Sequence, residues 1–497
     1  MARQQKSEHP SPIDQGKEYR TDLRNAVVAL ALMGLLGVAL IYLFPGCPEQ
    51  DTEYHFLGAR TAWSSPSYLV SVWGRPLYTT FYALPALLGF TVARFFAVAV
   101  GVAIAWQTWC LAGDLRLPRA WLVIPLLLGQ PVFFELFPDL LTEPLFALVF
   151  VVALRWHLRG WTKLGMLAAS LLPLARPEGV FLCLLWGVWV LAKETSRPAS
   201  LEGSIYGKII RTVPSTLILA SGVFFWWLAA TCITRDPLFI LHDWPATWHQ
   251  GVYGRGTLFS YSQRSLEFTG LLLVLPFLLG LWGKMRARAW IPITTSFLLL
   301  FSLHSFFRIN GLFGEAGYPR YMVSVAPAIA VLTLEGWNTI ALRIEKWPRV
   351  ATGAIGGTVL SLSLVQSFCY LDSLIWARDP IAIREMSDWF HAYPRPYKRL
   401  IWSNARMCIV MGLTLKESPS LRSSSLEGTQ ALLREAPSGT LVFWDDHFGP
   451  DWFGVTAADI ENSGYQCLRT RRYSLPGVVV RHVLGNRKIE LSLLLKP

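Results

Sequence analysis

A ladder of apolar stretches, each closed by a charged or proline-containing loop, runs from residue 24 to residue 372 of this chain. That pattern leaves one broad outcome, a bundle of helices in a bilayer, because hydrocarbon tolerates only backbones that satisfy their own hydrogen bonds. About eleven spans are expected, at roughly 24–44, 81–106, 119–137, 140–156, 162–176, 178–192, 212–233, 266–283, 289–307, 321–341 and 350–372. A hydrophobic share of 53%, a charged share of 16% and a mean hydropathy of +0.38 exclude a soluble globule.

The fifth and sixth spans are short. Between Lys163 and Lys193 the sequence Pro173-Leu174-Ala175-Arg176-Pro177-Glu178-Gly179 interrupts a stretch that fits either a hairpin of two short helices or one long kinked helix. Charge separates the two. Basic residues fall in alternate loops: Arg3, Lys6, Lys17, Arg20 and Arg24; Arg116 and Arg119; Arg155, Arg159 and Lys163; Lys193, Arg197, Lys208 and Arg211; Lys284, Arg286 and Arg288; Arg343, Lys346 and Arg349. The alternation continues past residue 193 only if 163–193 is a hairpin. The net charge of +12 is therefore a topology signal and not a nucleic-acid patch. It predicts a cytoplasmic segment 1–23 with a retained first span, a membrane domain 24–372 with external loops 45–80 and 234–265, and an extracytoplasmic domain 373–497.

Past residue 372 helix and strand signals alternate, with 380–391 and 426–436 helical and 399–403, 440–444, 478–483 and 489–495 strand-like. The expected fold is thus an α-helical polytopic membrane protein with a small C-terminal α/β domain. Of seven cysteines, Cys110, Cys183, Cys232 and Cys369 sit in or beside apolar spans as small hydrophobes, and none has metal-ligand spacing. Cys408 and Cys467 lie in the tail, where an oxidising compartment would permit a disulfide. Asp445-Asp446-His447 has a metal-like composition but the setting of a turn.

Four constellations carry chemistry, all on the predicted outer side. The first is Cys47-Pro48-Glu49-Gln50-Asp51-Thr52-Glu53-Tyr54-His55, followed by Arg60 and Arg75. A carboxylate beside a low-dielectric slab serves as a general base or cation ligand, and arginines hold phosphate; solvated turn residues are the plain alternative. The second is Asp139-Leu140-Leu141-Thr142-Glu143, where Asp139 reads either as a helix N-cap or as a cavity acid. The third is Arg176-Pro177-Glu178-Gly179, a turn-stabilising pair or a phosphate clamp. The fourth is Glu315 to Tyr321, with Tyr318, Arg320 and Tyr321 at the mouth of the tenth span. His242-Asp243-Trp244 and Trp248-His249 mix polar groups with rings as a sugar-binding lid does.

The order and common sidedness of these motifs resemble the GT-C membrane glycosyltransferases, related to protein O-mannosyltransferases and aminoarabinose transferases. The sequence departs from that pattern in separating Asp51 from Glu53 by Thr52. The resemblance implies transfer of a hexose or pentose, mannose among them, from a polyprenyl-phosphate carrier to a glycan, lipid or protein acceptor, by inverting displacement. Asp51 is then the expected base with Glu53 second, and Arg176 and Arg320 the phosphate ligands. Asp139, Glu143 and His55 line the sugar cavity, with Arg60, Arg75, Glu178, His242, Tyr318 and Tyr321 binding substrate. No metal is obligatory on this reading, although the acids would accept a divalent cation. A flippase of lipid-linked sugars is the first rival, weakened by the absence of internal repeats, and a non-catalytic scaffold is the second.

Overall fold

The computed structural model describes residues 12–44, 51–196, 205–245, 248, 253–344, 348–371, 373–392, 396–421, 426–446, 448–474 and 488–497. Cys47, Glu49, His249, His447 and the strand expected at 478–483 lie outside the described residues.

Among the described residues, six helices are long and apolar enough to cross a membrane: Tyr19–Leu43, Phe90–Asp114, Tyr206–Thr234, Ile291–Asn310, Pro319–Arg343 and Gly353–Tyr370. The other expected spans take shorter forms. The stretch 119–137 is not one helix but Val123–Leu128 followed by Pro131–Leu136, since Pro131 lacks an N–H and can only open a new helix after Gly129 and Gln130. Thr142–Leu158 and Gly179–Thr195 have 17 residues each, at the lower limit of the ~17–25 a span uses. Val274–Arg286 has only 13. The expected span 81–106 is divided at Gly89 into Pro76–Leu87 and Phe90–Asp114.

The stretch 163–193 is a hairpin. Thr162–Ala169 packs back along Thr142–Leu158, and Gly179–Thr195 returns, so that the Cys183 thiol donates to the Ala169 carbonyl and Trp186 Nε1 donates to His157 Nδ1 at 3.2 Å. A side chain at Gly179 would lie 2.3 Å from the Leu172 carbonyl carbon, so this turn closes only with glycine at its corner. Among the described residues, the basic loops consequently share one end of the bundle. There Trp109 donates to Asp22 at 2.7 Å, Arg155 and Arg159 hold Asp114 at 2.8 and 2.7 Å, and Lys284 holds Glu335 at 2.7 Å.

Two helices meet at backbone contact. Added Cβ atoms would fall 1.9 Å from the Leu332 carbonyl oxygen at Gly280 and 1.8 Å from the Pro276 oxygen at Gly336, the close approach that small residues permit between membrane helices. Gly336→Ala is expected to cost about 3 kcal/mol by forcing Val274–Arg286 and Ala326–Arg343 apart, whereas Gly283→Ala, which meets nothing, should be neutral or stabilising. Thermal unfolding in detergent measures both.

After the last long helix, Ser373–Ala392 leads into a sheet that has four strands among the described residues. Its strands are β1 (Arg399–Trp402), β2 (Thr440–Asp445), β3 (Gln466–Ser474) and β4 (Lys488–Leu495), in the order β1-β2-β4-β3. β1 is parallel to β2, and β4 is antiparallel to both β2 and β3. β3 was not expected as a strand; it is an edge strand carrying Arg469, Arg471 and Arg472, charges of the kind that keep edges from pairing further. Asp445 accepts hydrogen bonds from the Ser403 hydroxyl at 2.5 Å and the Phe448 N–H at 2.7 Å, as a turn residue does. Cys408 is buried and Cys467 exposed, and both thiols are free, so the disulfide considered for them does not form.

Candidate active site

The acidic motif folds as a helix, Asp51–Thr61, lying between the membrane helices and the tail. Helical geometry sorts its side chains. At 100° per residue, Asp51 and His55 share one face, while Glu53 and Arg60, seven apart, share the opposite one. Glu53 accordingly pairs with Arg406 of the tail at 2.7 Å, and Arg60 donates to the Gly412 carbonyl at 2.8 Å. Burial raises the Glu53 pKa, although Arg406 opposes it. Arg60, expected to bind substrate, is thus carried by the turn of the helix to the tail and away from the face that bears Asp51. Between the two faces Thr52 donates its hydroxyl to Asp139 at 2.8 Å. Asp139 also accepts from the Leu140 N–H, and the N-cap of Thr142–Leu158 is Leu141, so Asp139 is not the expected helix cap.

Asp51 points into an arginine cluster. Arg320 Nη2 lies 2.5 Å from its carboxylate; the Arg320 side chain is 8% exposed, whereas that of Asp51 is 45% exposed, so the acid faces an opening and its partner does not. Burial pushes the Asp51 pKa up, but the Arg320 guanidinium outweighs this and, with His55 and Arg75, holds the carboxyl below its ordinary value. Glu143, 1% exposed, bridges the cluster: its Oε1 lies 2.8 Å from Arg176 Nη1 and 3.5 Å from Arg320 Nε. Arg176 also bonds Glu178 and donates to the Thr142 hydroxyl at 3.0 Å. The Tyr321 ring lies under Arg176 at 4.9 Å and under Arg320 at 5.7 Å, and the Tyr318 ring under Arg320 at 4.7 Å.

Arg75 completes the cluster from the stretch that precedes Pro76–Leu87. It sits at φ 59 immediately before Pro76, a strained conformation for a residue with a side chain. Its Nη1 donates to the Val72 carbonyl at 2.8 Å, and the guanidinium stacks on Trp248 at 4.8 Å. Burial brings its pKa down to about 10, with the Arg176 charge adding to the effect, so it remains a cation at neutral pH.

His55 packs flat on Trp73, ring centroids 4.6 Å apart, and against Tyr78 at 5.0 Å. Its Nδ1 has no hydrogen-bond partner among the described residues. Burial drives its pKa down to about 3, Asp51 opposing and Arg75, Arg320 and Arg176 reinforcing. Between the ordinary value near 6.5 and 3 the unfolded chain binds this proton and the folded chain does not, so stability rises with pH through that window and falls on acidification. The wild-type thermal midpoint is therefore expected to drop between pH 6.5 and 5, with the unfolding equilibrium shifting by up to about tenfold per unit, and His55→Gln to flatten that limb.

His242 is not part of the cluster: it pairs with Asp236 at 2.7 Å on an exposed turn, six residues away in its own loop. Its neighbour Asp243 instead accepts from the Val72 N–H at 2.7 Å and so ties that loop to the one bearing Arg75. One group was missed in the sequence, His304. His304 bonds Glu315 at 2.9 Å and approaches Glu178 at 3.8 Å, while stacking on Tyr321 at 5.0 Å. Glu315 in turn accepts from the Tyr261 hydroxyl at 2.5 Å and the Gly317 N–H at 3.0 Å. A histidine inside an apolar span was the available signal.

No family model matches the sequence, and no curated protein does. Solved structures do match. ArnT from Cupriavidus metallidurans bound to undecaprenyl phosphate superposes with a TM-score of 0.59 at 13% identity, covering 94% of this chain and 97% of that one. The apo state of ArnT gives the same values. The expected likeness is met at the level of the fold, which this chain shares with ArnT.

Proposed function

We propose, from the shared fold and the arginine cluster around Asp51, that this chain is a membrane glycosyltransferase that takes a sugar from a polyprenyl-phosphate donor. The observation that carries the reading is the pairing of an accessible carboxylate with a buried guanidinium that a phosphate can claim. In the resting cluster Arg75, Arg176 and Arg320 face Asp51, Glu143 and Glu178, three charges against three. A donor phosphate entering this cluster draws Arg320 toward itself. Asp51 loses its counter-charge, its pKa rises, and it becomes a competent base.

The bond from the acceptor oxygen to the anomeric carbon then forms as the bond from that carbon to the phosphate oxygen breaks. The acceptor proton passes to Asp51, and the electron pair leaves with the polyprenyl phosphate. The phosphate gains one negative charge, and the arginines stabilise it where it develops. The attack comes from the face opposite the phosphate, so configuration inverts. Neutral His55 with Trp73 and Tyr78 forms an aromatic wall with a free ring nitrogen for a sugar hydroxyl. Guanidinium groups neutralise the leaving group in this scheme, and no metal is obligatory. We place the N-terminus in the cytoplasm, with eleven crossings of the cell membrane and the tail outside, which puts the cluster at the outer face; the common end of the basic loops supports this.

The test is incubation of the purified protein in detergent with a panel of polyprenyl-phosphate sugars and candidate acceptors, with and without chelator, following free polyprenyl phosphate by mass spectrometry. Acceptor-dependent release for one sugar is expected, unaffected by chelator. Binding of the donors with no release would overturn the transferase reading in favour of carriage.

A further inference from the structure

Arg94 is a buried cation with no carboxylate bonded to it among the described residues. It is 1% exposed; Nε donates to the Pro138 carbonyl at 3.3 Å and Nη1 to the Phe44 carbonyl at 2.8 Å, and Nη2 has no hydrogen-bond partner there. A buried charge satisfied only by carbonyls is costly unless an anion completes it. Arg94 lines a cavity of about 500 Å³ together with Arg384, Asp388, His391 and Arg406. Arg406 is already balanced by Glu53 at 2.7 Å. Arg94 and Arg384 then face the single carboxylate of Asp388, and the cavity keeps a positive excess.

Its walls say where the missing anion comes from. Tyr42, in the last turn of Pro12–Leu43, and Phe90, at the start of Phe90–Asp114, both line it, so the cavity opens where two apolar helices reach the end of their membrane stretch. The tail supplies the other walls, from the helix Ser373–Ala392 and from Arg406, Ile409 and Val410 of the helix Ala405–Val410. We propose that this cavity binds a phosphate-type oxyanion carried by a membrane-resident molecule. On the transferase reading above, on which this assignment of role rests, that molecule is the acceptor. Arg406 joins the two sites, touching Glu53 on the helix of Asp51 and lining the cavity with Arg94.

The test uses the full chain in detergent, equilibrated with equimolar phosphatidylglycerol and phosphatidylcholine, and reads retained lipid by native mass spectrometry. Wild type is expected to retain the anionic lipid at least about tenfold over the zwitterionic one, as charge-assisted hydrogen bonds of this kind allow. Arg384→Gln should lower that preference about threefold or more, and Arg94→Met should abolish it. Arg94→Met also removes the bonds to Phe44 and Pro138, so the exposed Arg384→Gln decides if the buried variant does not fold. Absence of the preference in wild type, or an unchanged preference in Arg384→Gln, overturns the site. Displacement of the lipid by inorganic phosphate at equal concentration assigns a soluble anion and overturns the membrane-resident source. Retention needs no turnover and is expected to persist in Asp51→Asn, so failure of the transferase reading leaves this result standing and the two outcomes separate.

Discussion

Asp51→Asn is expected to reduce release of polyprenyl phosphate by about 10²–10⁴-fold, the range over which a positioned general base contributes, while the protein stays folded. Stability should change little. The Asp51 side chain is 45% exposed, the asparagine amide oxygen can still accept from Arg320, and Arg320 keeps Glu143 within 3.5 Å, so the buried guanidinium is not left without an acceptor. The loss is therefore chemical. Glu53→Gln supplies the contrast, because Glu53 faces the tail and its partner Arg406, on the far side of the helix from Arg320. Its effect on release should be smaller and its effect on unfolding larger, since it removes the carboxylate charge that faces a guanidinium which is itself buried. Steady-state release by mass spectrometry, with size-exclusion profiles of both variants, separates the two acids. Full activity in Asp51→Asn would falsify the base assignment.

The features legible in the sequence are those that depend on order along the chain. Apolar length and alternate basic loops marked the long spans and the hairpin, because hydrocarbon thickness and positive-inside bias act locally. Arg176 with Glu178, and Arg320 with the tyrosines around it, were visible as motifs beside a span. The interruption of 119–137 was also written there, in Pro125, Gly129 and Pro131, but hydropathy averaged over the stretch hid it. The sorting of Asp51 from Glu53 required knowing that 51–61 is a helix; treated as a loop, two acids spaced by two carry no facing information. Partners distant in sequence were not legible at all. Nothing near Glu53 announces Arg406, 353 residues on, and nothing near Arg94 announces that Phe44 and Pro138 would supply its acceptors. The strand β3 was missed because its exposed arginines obscure the alternation on which strand reading relies.

Glu143→Gln should be the most destabilising single change in the cluster and should also tighten its hold on phosphate. Glu143 is 1% exposed and its Oε1 serves both Arg176 and Arg320. Glutamine keeps the shape and removes the charge. Arg176 retains Glu178 and Thr142, and Arg320 retains Asp51, so neither guanidinium is stranded, but three cations then face two carboxylates. Breaking a buried pair by neutralising one partner costs about 3 kcal/mol, and thermal unfolding in detergent should show a loss of that order. The uncompensated charge is also an affinity term. A lipid phosphate entering the variant restores the balance that Glu143 supplied, whereas in wild type it must compete with that carboxylate for the same guanidiniums. Added polyprenyl phosphate is therefore expected to raise the unfolding temperature of Glu143→Gln by more than it raises that of wild type, since a ligand stabilises in proportion to its affinity for the folded state. An equal shift in both proteins would mean that Glu143 and the lipid phosphate do not share these arginines, and the donor site would have to be sought elsewhere in the molecule.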